Sequence, residues 1–260
     1  MSRVAPRKSL GQHFLVDRNV LGVIDRLAEL DRADVVLEVG PGLGVLTTFL
    51  SDRVNHVHAI ELDRGLEQSL REALGERKNV DLVFADALAF DLGPLDPLPT
   101  KLVANLPYNV ATPLVAETLI GVPSLSSWCV MVQREVAERF FAEPGTKAYG
   151  AVSVLVQLHA RRTGFHSVSQ TVFRPVPNVD SALVAFRRIP APANPASVLR
   201  VARGAFAHRR KTLANALALA GIASRERSVT ALDAIGRAPD VRAEALAPEE
   251  FVRLAEALGP

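Results

Sequence analysis

A polar and aromatic cluster follows an apolar, strand-like run in the segment KLVANLPYNVATP (101–113). Asn105 offers an amide oxygen as a hydrogen-bond acceptor, and the rigid Leu106–Pro107 unit fixes the direction of a second acceptor, the Leu106 carbonyl. Tyr108 offers a flat face for a base. Two acceptors beside an aromatic ring suit an exocyclic amine of a nucleobase, because they would localise its lone pair and direct it at an electrophile. A turn in which Asn105 bonds its own backbone is the competing interpretation.

A glycine-rich loop, EVGPGLG (38–44), lies between a strand-like run and a helical pattern. Gly40 and Gly42 allow a tight turn and a close approach of the backbone to a ligand. Glu61 ends the next strand-like run, where a carboxylate suits the hydroxyls of a ribose. The NAD fingerprint places its third glycine five positions after the first, whereas Gly44 comes four after Gly40. On these residues alone, NAD and S-adenosylmethionine both remain possible ligands.

Asp86 ends the third strand-like run, in VFADA. In an open parallel sheet, ligands bind outside the carboxyl ends of the strands. Glu61 and Asp86 could therefore hold a ribose and an adenine amino group. Taken alone, Asp86 fits equally well as a cap for the segment that follows it.

Strand and helix patterns alternate along the first half of the chain, which is typical of a parallel sheet covered by helices on both faces. The runs that predict strands are 35–40, 56–63, 80–88, 101–105 and 127–132, and the helical patterns are 20–33, 44–53, 64–74, 112–119 and 133–141. These patterns predict an α/β fold with the cluster and the glycine loop at one edge of the sheet.

Beyond residue 150 the pattern changes. The segment 151–160 fits either a helix or a strand, while 164–173 and 180–189 predict two further strands around the turn RPVPN. A stretch rich in Pro and Ala, 190–197, predicts a linker, and a helical pattern follows it. We therefore expect a catalytic domain over 1–189, a linker over 190–197 and a helical domain over 198–260.

Charge is distributed unevenly along a chain whose formal net charge is only +2. Residues 144–225 carry 12 Lys and Arg and a single acid, Asp180. Arg209, Arg210 and Lys211 are the densest part of this segment, and we expect them to open or continue a helix there. A basic segment within a mildly charged chain indicates a polyanionic partner, with phosphate bound by such side chains, although each could equally be part of a solvated face.

Composition excludes several classes of protein. Hydrophobic residues make up 48% of the chain, which excludes a disordered protein, and no apolar run reaches the length of a membrane span. The basic N-terminus precedes no apolar signal core, so we expect a cytoplasmic protein. The single Cys129 fits a packed core thiol, and the six histidines show no metal-ligand spacing, so no metal is expected.

The motifs, taken in their order along the chain, resemble those of the ribosomal RNA adenine N6-dimethyltransferases, and most closely the bacterial branch that modifies small-subunit (16S) rRNA. The matching segments are GQHFLVD (11–17), EVGPGLGVLT (38–47), IELD (60–63), ADA (85–87), NLPYN (105–109), QREVAERF (133–140), KAYGAVSVLVQ (147–157), FRPVPNVDSALV (173–184) and AFAHRRKTLANAL (205–217). The resemblance implies a Rossmann-like methyltransferase fold with a mostly parallel seven-stranded sheet and a small C-terminal helical domain that binds rRNA. It also implies S-adenosylmethionine as the cofactor and transfer of methyl groups to N6 of two adjacent adenosines near the 3′ end of the rRNA. We expect such an enzyme to be a monomer that acts on the immature small subunit.

The resemblance assigns roles to individual residues. His13 and Leu15 would lie over the methionine end of the cofactor; this family often has Asn at the position of His13. The remaining roles are as follows: Gly40 and Gly42 facing the cofactor, Glu61 on the ribose, Asp86 on the adenine, Asn105 and the Leu106 carbonyl on the target amine, and Tyr108 and Phe173 as the two aromatic faces of the base pocket.

Three alternatives remain open. A large-subunit rRNA methyltransferase of the resistance type shares the motifs of the first half, and the RRKTL region favours the small-subunit branch over it. A nicotinamide-dependent oxidoreductase is suggested only by the spacing of Gly40 and Glu61. An RNA-binding assembly factor whose catalysis is dispensable would carry the same motifs.

Overall fold

The structure of the chain, a computed structural model, describes Arg7 and residues 12–259. Gly11, the first residue of the GQHFLVD motif, and most of the basic N-terminal stretch lie outside the described residues. Within the described part of the chain, no helix is both long and apolar enough to cross a membrane.

Seven strands form the main sheet. They are β2 (Val35–Val39), β3 (His56–Glu61), β4 (Val80–Phe84), β5 (Lys101–Asn105), β6 (Ser127–Gln133), β7 (Ala160–Val168) and β9 (Ser181–Arg188), in the order β4-β3-β2-β5-β6-β9-β7. β2 to β6 pair in parallel, and β9 runs antiparallel to β6. The mostly parallel, seven-stranded α/β sheet is confirmed. A separate pair, β1 (Phe14–Leu15) and β8 (Phe173–Arg174), is antiparallel.

The strand order reverses beside β2, which has β3 on one side and β5 on the other. Every residue of β2 is buried, which explains why its sequence VVLEV is almost continuously apolar. The carboxyl ends of β2 and β5 lead directly into the glycine loop and the Asn-Leu-Pro-Tyr cluster. A reversal of this kind opens a crevice at the carboxyl ends of the strands.

Helices follow most of the strands. Their bounds are α1 (Asn19–Ala28), α2 (Val45–Ser51), α3 (Glu67–Leu74), α4 (Ala111–Gly121), α5 (Arg134–Phe140), α6 (Ala151–His159), α7 (Pro195–Ala207), α8 (Leu213–Leu219), α9 (Arg225–Ala234) and α10 (Pro248–Leu258). α1 buries Val20, Leu21 and Ile24, the apolar stripe that its spacing predicts. It ends earlier than predicted because Glu29 adopts a left-handed backbone, with φ 48°.

The chain divides into two compact units. One contains the described residues up to Ala137 together with Arg162–Arg188, and the other contains Glu138–Arg161 and the residues from Ile189 onward. The segment 138–161 therefore groups with the C-terminal helices, whereas the sequence placed the domain boundary at 189. The physical reason is a shared core, because Val154 and Leu158 of α6 are buried together with apolar side chains of α7, α8 and α10.

For the second unit, the structure settles one open question and corrects two expectations. The ambiguous segment 151–160 is helical through His159, since α6 buries Val154, Leu155 and Val156 in succession. The predicted linker 190–197 is shorter, because α7 starts at Pro195, whose fixed φ suits the first turn of a helix. Arg209, Arg210 and Lys211 neither open nor continue a helix, since residues 208–211 form the turn between α7 and α8.

Candidate active site

One cavity lies at the carboxyl ends of β2, β3 and β5, where the strand order reverses. The residues that line it and that the sequence analysis singled out are His13, Leu15, Gly40, Gly42, Glu61, Asp86, Asn105, Leu106, Pro107 and Tyr108. They come from separate segments of the chain. The parallel sheet brings them together because it aligns the ends of its strands at one edge.

The glycine loop follows β2 with a left-handed backbone at Gly40 (φ 75°) and Gly42 (φ 60°). A Cβ on Gly40 would lie 3.2 Å from Cδ of Pro107, and a Cβ on Gly42 would lie 3.1 Å from Cδ1 of Phe14. Glycine is therefore needed at both positions for the backbone conformation, and also because the loop packs closely against its neighbours.

Glu61 ends β3 with its side chain buried. The backbone N–H of Gly42 donates to its Oε2 at 3.1 Å, and the N–H of Asp63 donates to its Oε1 at 2.8 Å. Burial raises the pKa of Glu61, and these two donors oppose the rise. The carboxylate is thus fixed in direction while each oxygen keeps lone pairs for a ligand.

Asp86 follows β4 and lines the same cavity. Its Oδ1 accepts from the N–H of Leu88 at 3.0 Å, and its carbonyl accepts from the N–H of Phe90 at 2.8 Å. Asp86 therefore does cap the segment after β4, and its position at the cavity also keeps it available to a ligand. The two interpretations of this residue are compatible.

Asn105 is held by the segment that precedes β1. Its Nδ2 donates to the carbonyl of His13 at 3.2 Å. A carbonyl can only accept a hydrogen bond, so this contact places the amide nitrogen on the His13 side and leaves Oδ1 as an acceptor for another group. Asn105 does not satisfy its own backbone in this arrangement.

The segment after Asn105 turns into α4. Leu106 donates its N–H to the carbonyl of Met131 at 3.0 Å and buries its side chain, and the Pro107 carbonyl accepts from Val110 and Ala111, both at 3.1 Å. The turn is therefore anchored on both sides of the Leu106 carbonyl.

Tyr108 is fixed at its hydroxyl and covered on one side of its ring. The hydroxyl lies 2.8 Å from Oγ of Ser181, and burial raises the pKa of Tyr108. The ring of His13 stacks on that of Tyr108, with centroids 5.6 Å apart and an interplanar angle of 29°. The His13 Nδ1 in turn lies 2.8 Å from the Pro175 carbonyl. His13 therefore occupies a stacking position beside Tyr108.

Phe173 lies elsewhere than the resemblance implied. It is only 1% exposed and belongs to the buried core cluster that includes Leu15, Met131 and Leu183. It is not among the residues that line the cavity. Phe173 is also the direct partner of Leu15 in the antiparallel pair of β1 and β8. Phe173 thus supports the segment that carries His13 and presents no face to a base in this structure.

The three basic residues of the turn between α7 and α8 differ in their contacts. The Arg209 Nη2 donates to the carbonyls of Tyr149 at 2.8 Å and Lys147 at 3.2 Å, and Glu244 lies 3.7 Å away. Arg210 and Lys211 are exposed. Arg209 is exposed too, but it is bonded to carbonyls of its own unit, so Arg210 and Lys211 are better placed to bind a phosphate.

Sequence reasoning missed Glu38, which lines the cavity from within β2. It is 1% exposed, and its Oε2 has no hydrogen-bond partner among the described residues. Burial, with the charge of Glu61 adding to it, raises the pKa of Glu38 to about 8. The sequence feature that could have identified Glu38 is an acid inside an otherwise apolar strand, directly before the glycine loop.

Two exposed leucines at the cavity were also missed. Leu62 is 54% exposed and Leu88 is 41% exposed, and both line the cavity. Each comes within two residues of a strand-end acid, Glu61 or Asp86. Apolar side chains that stay exposed beside polar acceptors are suited to the faces of a flat ring.

Comparison with known proteins covers nearly the whole chain. The family model for ribosomal RNA adenine dimethylase matches residues 4–259. The ribosomal RNA small subunit methyltransferase A of Rubrobacter xylanophilus is 49% identical over 98% of this chain and 96% of its own length. The protein of the same name from Thermobifida fusca is 46% identical over 97% of this chain and 90% of its own length.

Solved structures show the same fold. The dimethyladenosine transferase of Plasmodium falciparum superposes with a TM-score of 0.79, at 22% identity, over 93% of this chain and 96% of its own. The 23S rRNA methyltransferase ErmE superposes with a TM-score of 0.68, at 30% identity, over 94% of this chain and 99% of its own. With the family model matched from residue 4 to residue 259, this chain belongs to the ribosomal RNA adenine dimethylase family.

Proposed function

We propose that this chain transfers methyl groups from S-adenosylmethionine to N6 of two adjacent adenosines near the 3′ end of small-subunit (16S) rRNA, giving N6,N6-dimethyladenosine. The observation that carries the proposal is one cavity that holds both the carboxylate of Glu61 and the amide of Asn105. A nucleotide cofactor and a target amine can therefore be bound side by side.

The residues of the cavity fit S-adenosylmethionine, a cationic nucleoside derivative. Glu61 would accept from the ribose hydroxyls and Asp86 from the adenine amino group, with Leu62 and Leu88 against the flat ring. Glu38 has a buried oxygen with no hydrogen-bond partner among the described residues, and this oxygen would face the positive end of the ligand. The walls of this part of the cavity would be completed by His13, Leu15, Gly40 and Gly42. When bound, S-adenosylmethionine supplies an electrophilic methyl group on a sulfonium sulfur.

The Asn-Leu-Pro-Tyr segment would hold the target adenine. The oxygen of Asn105, fixed by the bond from its nitrogen to His13, and the Leu106 carbonyl would accept from the two N–H groups of N6. Such acceptors favour a pyramidal nitrogen with a localised lone pair. Because the attacked amine becomes cationic and acidic, its proton can leave after attack, and little general-base strength is required of the protein.

Tyr108 would supply the stacking surface for the flipped base, which repays part of the cost of unstacking it from the RNA. His13 already stacks against Tyr108. A base that uses the same face must displace the His13 ring, and a base that uses the other face would form a stack of three rings. His13 would then help to bind the base as well as the cofactor.

The RNA would be bound through phosphate contacts from the basic segment 144–225, including Arg210 and Lys211. The substrate we propose is the rRNA of an immature small subunit, modified in the cytoplasm by a monomer, with a helical RNA-binding part near the C-terminus. Two curated relatives, at 49% and 46% identity, carry the name of small-subunit methyltransferases, which supports this choice of subunit.

A large-subunit rRNA methyltransferase is the second candidate function. It is favoured by the similarity to ErmE at 30% identity. The small-subunit relatives are more similar to this chain, so we rank the large-subunit activity below it. A nicotinamide-dependent oxidoreductase has no support beyond the loop and Glu61.

The test is a methyl-transfer assay with labelled S-adenosylmethionine on immature small subunits, naked small-subunit rRNA and large subunits. We expect label only with small-subunit substrates, and primer extension should stop at two adjacent adenosines near the 3′ end. Label in large subunits alone would replace our proposal with the second candidate. Absence of transfer to any RNA would refute both.

The Asn105→Ala variant tests the role of the cluster. Loss of one fixed hydrogen-bond partner of the reacting amine should lower kcat by roughly 10²-fold or more, as for other preorganised partners. Asn55→Ala, at an exposed asparagine before β3, is the matched control and should retain activity. If Asn105→Ala methylates normally, the amide does not bind the amine. If it abolishes methylation but subunit assembly stays normal, any assembly role depends on RNA binding.

A further inference from the structure

A cluster of two histidines and an aspartate lies at the amino-terminal end of β3. His56 and His58 are two residues apart on this strand, so both side chains point to the same face of the sheet. Asp81 of the edge strand β4 is the direct partner of His58 in the strand register. One potential ligand atom from each residue lies within 4.8 Å of those of the other two. The sheet itself thus assembles three groups that can bind a cation.

His58 is the buried member of the cluster, at 1% exposure. Its Nε2 lies 2.7 Å from the carbonyl oxygen of Pro97. Because a carbonyl only accepts, Nε2 must carry the hydrogen, and in a neutral ring Nδ1 then holds a lone pair. This Nδ1 has no hydrogen-bond partner among the described residues, although it lies 3.5 Å from Oδ2 of Asp81. Two acceptors therefore face each other, and a positive charge between them would satisfy both.

His56 completes the arrangement from the more open side. Its Nε2 lies 2.9 Å from the same Asp81 oxygen, and the rings of His56 and His58 are 4.6 Å apart between centroids. The Asp81 side chain is 53% exposed, so an ion can reach the cluster from solvent. The three groups thus surround one point that is closed on the His58 side and open on the Asp81 side.

Ligand chemistry favours a transition metal over other cations. Imidazole nitrogens together with a carboxylate are typical zinc ligands, whereas calcium and magnesium prefer oxygens. A histidine bound to a metal usually donates its other N–H to a carbonyl or carboxylate, which fixes the ring. His58 already makes this bond to Pro97. The buried ring is therefore oriented for a metal before any metal binds.

We propose that His56, His58 and Asp81 form a binding site for a divalent transition metal such as zinc, with a fourth position open to solvent. The ligand atoms are Nε2 of His56, Nδ1 of His58 and a carboxylate oxygen of Asp81. The metal would join the edge strand β4 to β3, and through His58 to the segment at Pro97. The role is structural, because Glu61 and the cavity lie at the other end of β3, about 17 Å from His56 and about 10 Å from His58 at roughly 3.3 Å per residue.

This inference departs from the expectation of no metal. That expectation depended on spacing along the chain, and two histidines separated by one residue did not count as a ligand pattern. Their common direction depends on the strand conformation, and the third ligand comes from the neighbouring strand.

Calorimetry tests the site directly. Untagged, metal-stripped protein is titrated with zinc against a competing chelator, and we expect one equivalent to bind. His56→Ala and Asp81→Asn should each weaken zinc binding by about tenfold or more. Neither change creates a cavity around a fully buried side chain, so both variants should fold. His166→Ala removes an exposed histidine of β7 and should bind zinc like the unchanged protein.

Cobalt and thermal denaturation give two further readouts. Bound cobalt should show the visible absorption of a low-coordinate nitrogen and oxygen site, and Asp81→Asn should need a higher cobalt concentration to reach it. Zinc should raise the Tm of the unchanged protein and of His166→Ala, and raise it less in the two cluster variants. If no equivalent of zinc binds, or if the cluster variants bind it as tightly as the control, the metal site is refuted. Methyl transfer enters none of these measurements, so failure here leaves the proposed function untouched.

Discussion

Two acids of the cavity, Glu38 and Glu61, differ in how the protein satisfies their carboxyl groups. Glu38 and Glu61 are both buried carboxyl groups, and burial raises the pKa of each. Glu61 accepts two backbone N–H bonds, whereas the Oε2 of Glu38 has no partner among the described residues. The unsatisfied oxygen lies in the cavity and remains available to a cationic ligand.

Replacing Glu38 by Gln should change how stability depends on pH. Burial raises the pKa of Glu38 in the folded protein to about 8. The folded state is therefore most stable, with respect to this group, below the pKa that Glu38 has in the unfolded chain, and this stability is lost as the pH rises to about 8. A tenfold change in an acid dissociation constant corresponds to about 1.4 kcal/mol of free energy. Glu38→Gln should therefore be more stable than the unchanged protein at about pH 8.5, by an amount that shrinks toward about pH 5.

Urea denaturation of the ligand-free proteins at several pH values measures this difference. Asp86→Asn, at an exposed acid of the same cavity, is the control and should follow the unchanged protein. Parallel stability curves for Glu38→Gln and the unchanged protein would show that Glu38 does not titrate between about pH 5 and about pH 8.

At the scale of elements, the helix that follows the Asn-Leu-Pro-Tyr segment is closed at its far end by a distant arginine. The Arg188 guanidinium of β9 donates to the carbonyls of Leu119 at 2.7 Å, Val122 at 2.9 Å and Leu125 at 2.7 Å. The last carbonyls of a helix have no partner inside it, so a side chain that satisfies them fixes where the helix ends. Arg188 thus belongs to the fold, although its charge counts in the basic segment.

Arg188→Ala should lower the free energy of unfolding by about 2–4 kcal/mol, because three charge-assisted hydrogen bonds are removed and the carbonyls of Leu119 and Leu125 lose the arginine donor. Arg188→Lys should recover part of this decrease, since an ammonium group cannot reach all three carbonyls. Arg187→Ala is the matched control: Arg187 pairs with Glu29 on the surface, so its removal should cost less than about 1 kcal/mol. Chemical denaturation measures all three, and equal decreases for Arg187→Ala and Arg188→Ala would contradict the capping role.

At the scale of the whole molecule, the uneven charge has two different uses. Some basic residues of 144–225, such as Arg188 and Arg209, satisfy carbonyls of their own unit. Others, such as Arg210 and Lys211, are exposed. The charge of the segment therefore overstates the number of phosphates it can bind, and side chains already bonded to protein carbonyls should contribute least to the salt dependence of RNA binding.

The double variant Arg210→Ala, Lys211→Ala should bind small-subunit rRNA more weakly. The negative slope of log K against log salt should become shallower by roughly 1.5, or about 0.7–0.9 for each phosphate that is no longer neutralised. Arg26→Ala, Arg32→Ala changes the net charge equally at two exposed arginines outside the basic segment and outside the C-terminal helices, and serves as the control. Filter binding from low to high salt measures both slopes. Equal slopes for the two double variants would mean that the turn does not bind phosphate.

The local order of apolar and polar residues in the sequence was enough to predict the parallel sheet and the edge at which it binds ligands. Apolar periodicity predicted the strands of the parallel sheet, because a buried parallel strand must be apolar on both faces. The rule that ligands bind at the carboxyl ends of such strands then placed Glu61, Asp86 and Asn105 at one edge. The structure brings these residues into one cavity, together with Gly40 and Gly42, which the loop pattern had identified.

Tertiary structure alone decided the features whose partners are distant along the chain. The inward position of Phe173, the stacking of His13 on Tyr108 and the grouping of 138–161 with the C-terminal helices all depend on contacts between separate segments. The same holds for the bonds of Arg188 and for the meeting of two histidines of β3 with an aspartate of β4. Spacing along a sequence encodes which face a side chain takes within its own element, and it carries no information on which element packs against that face.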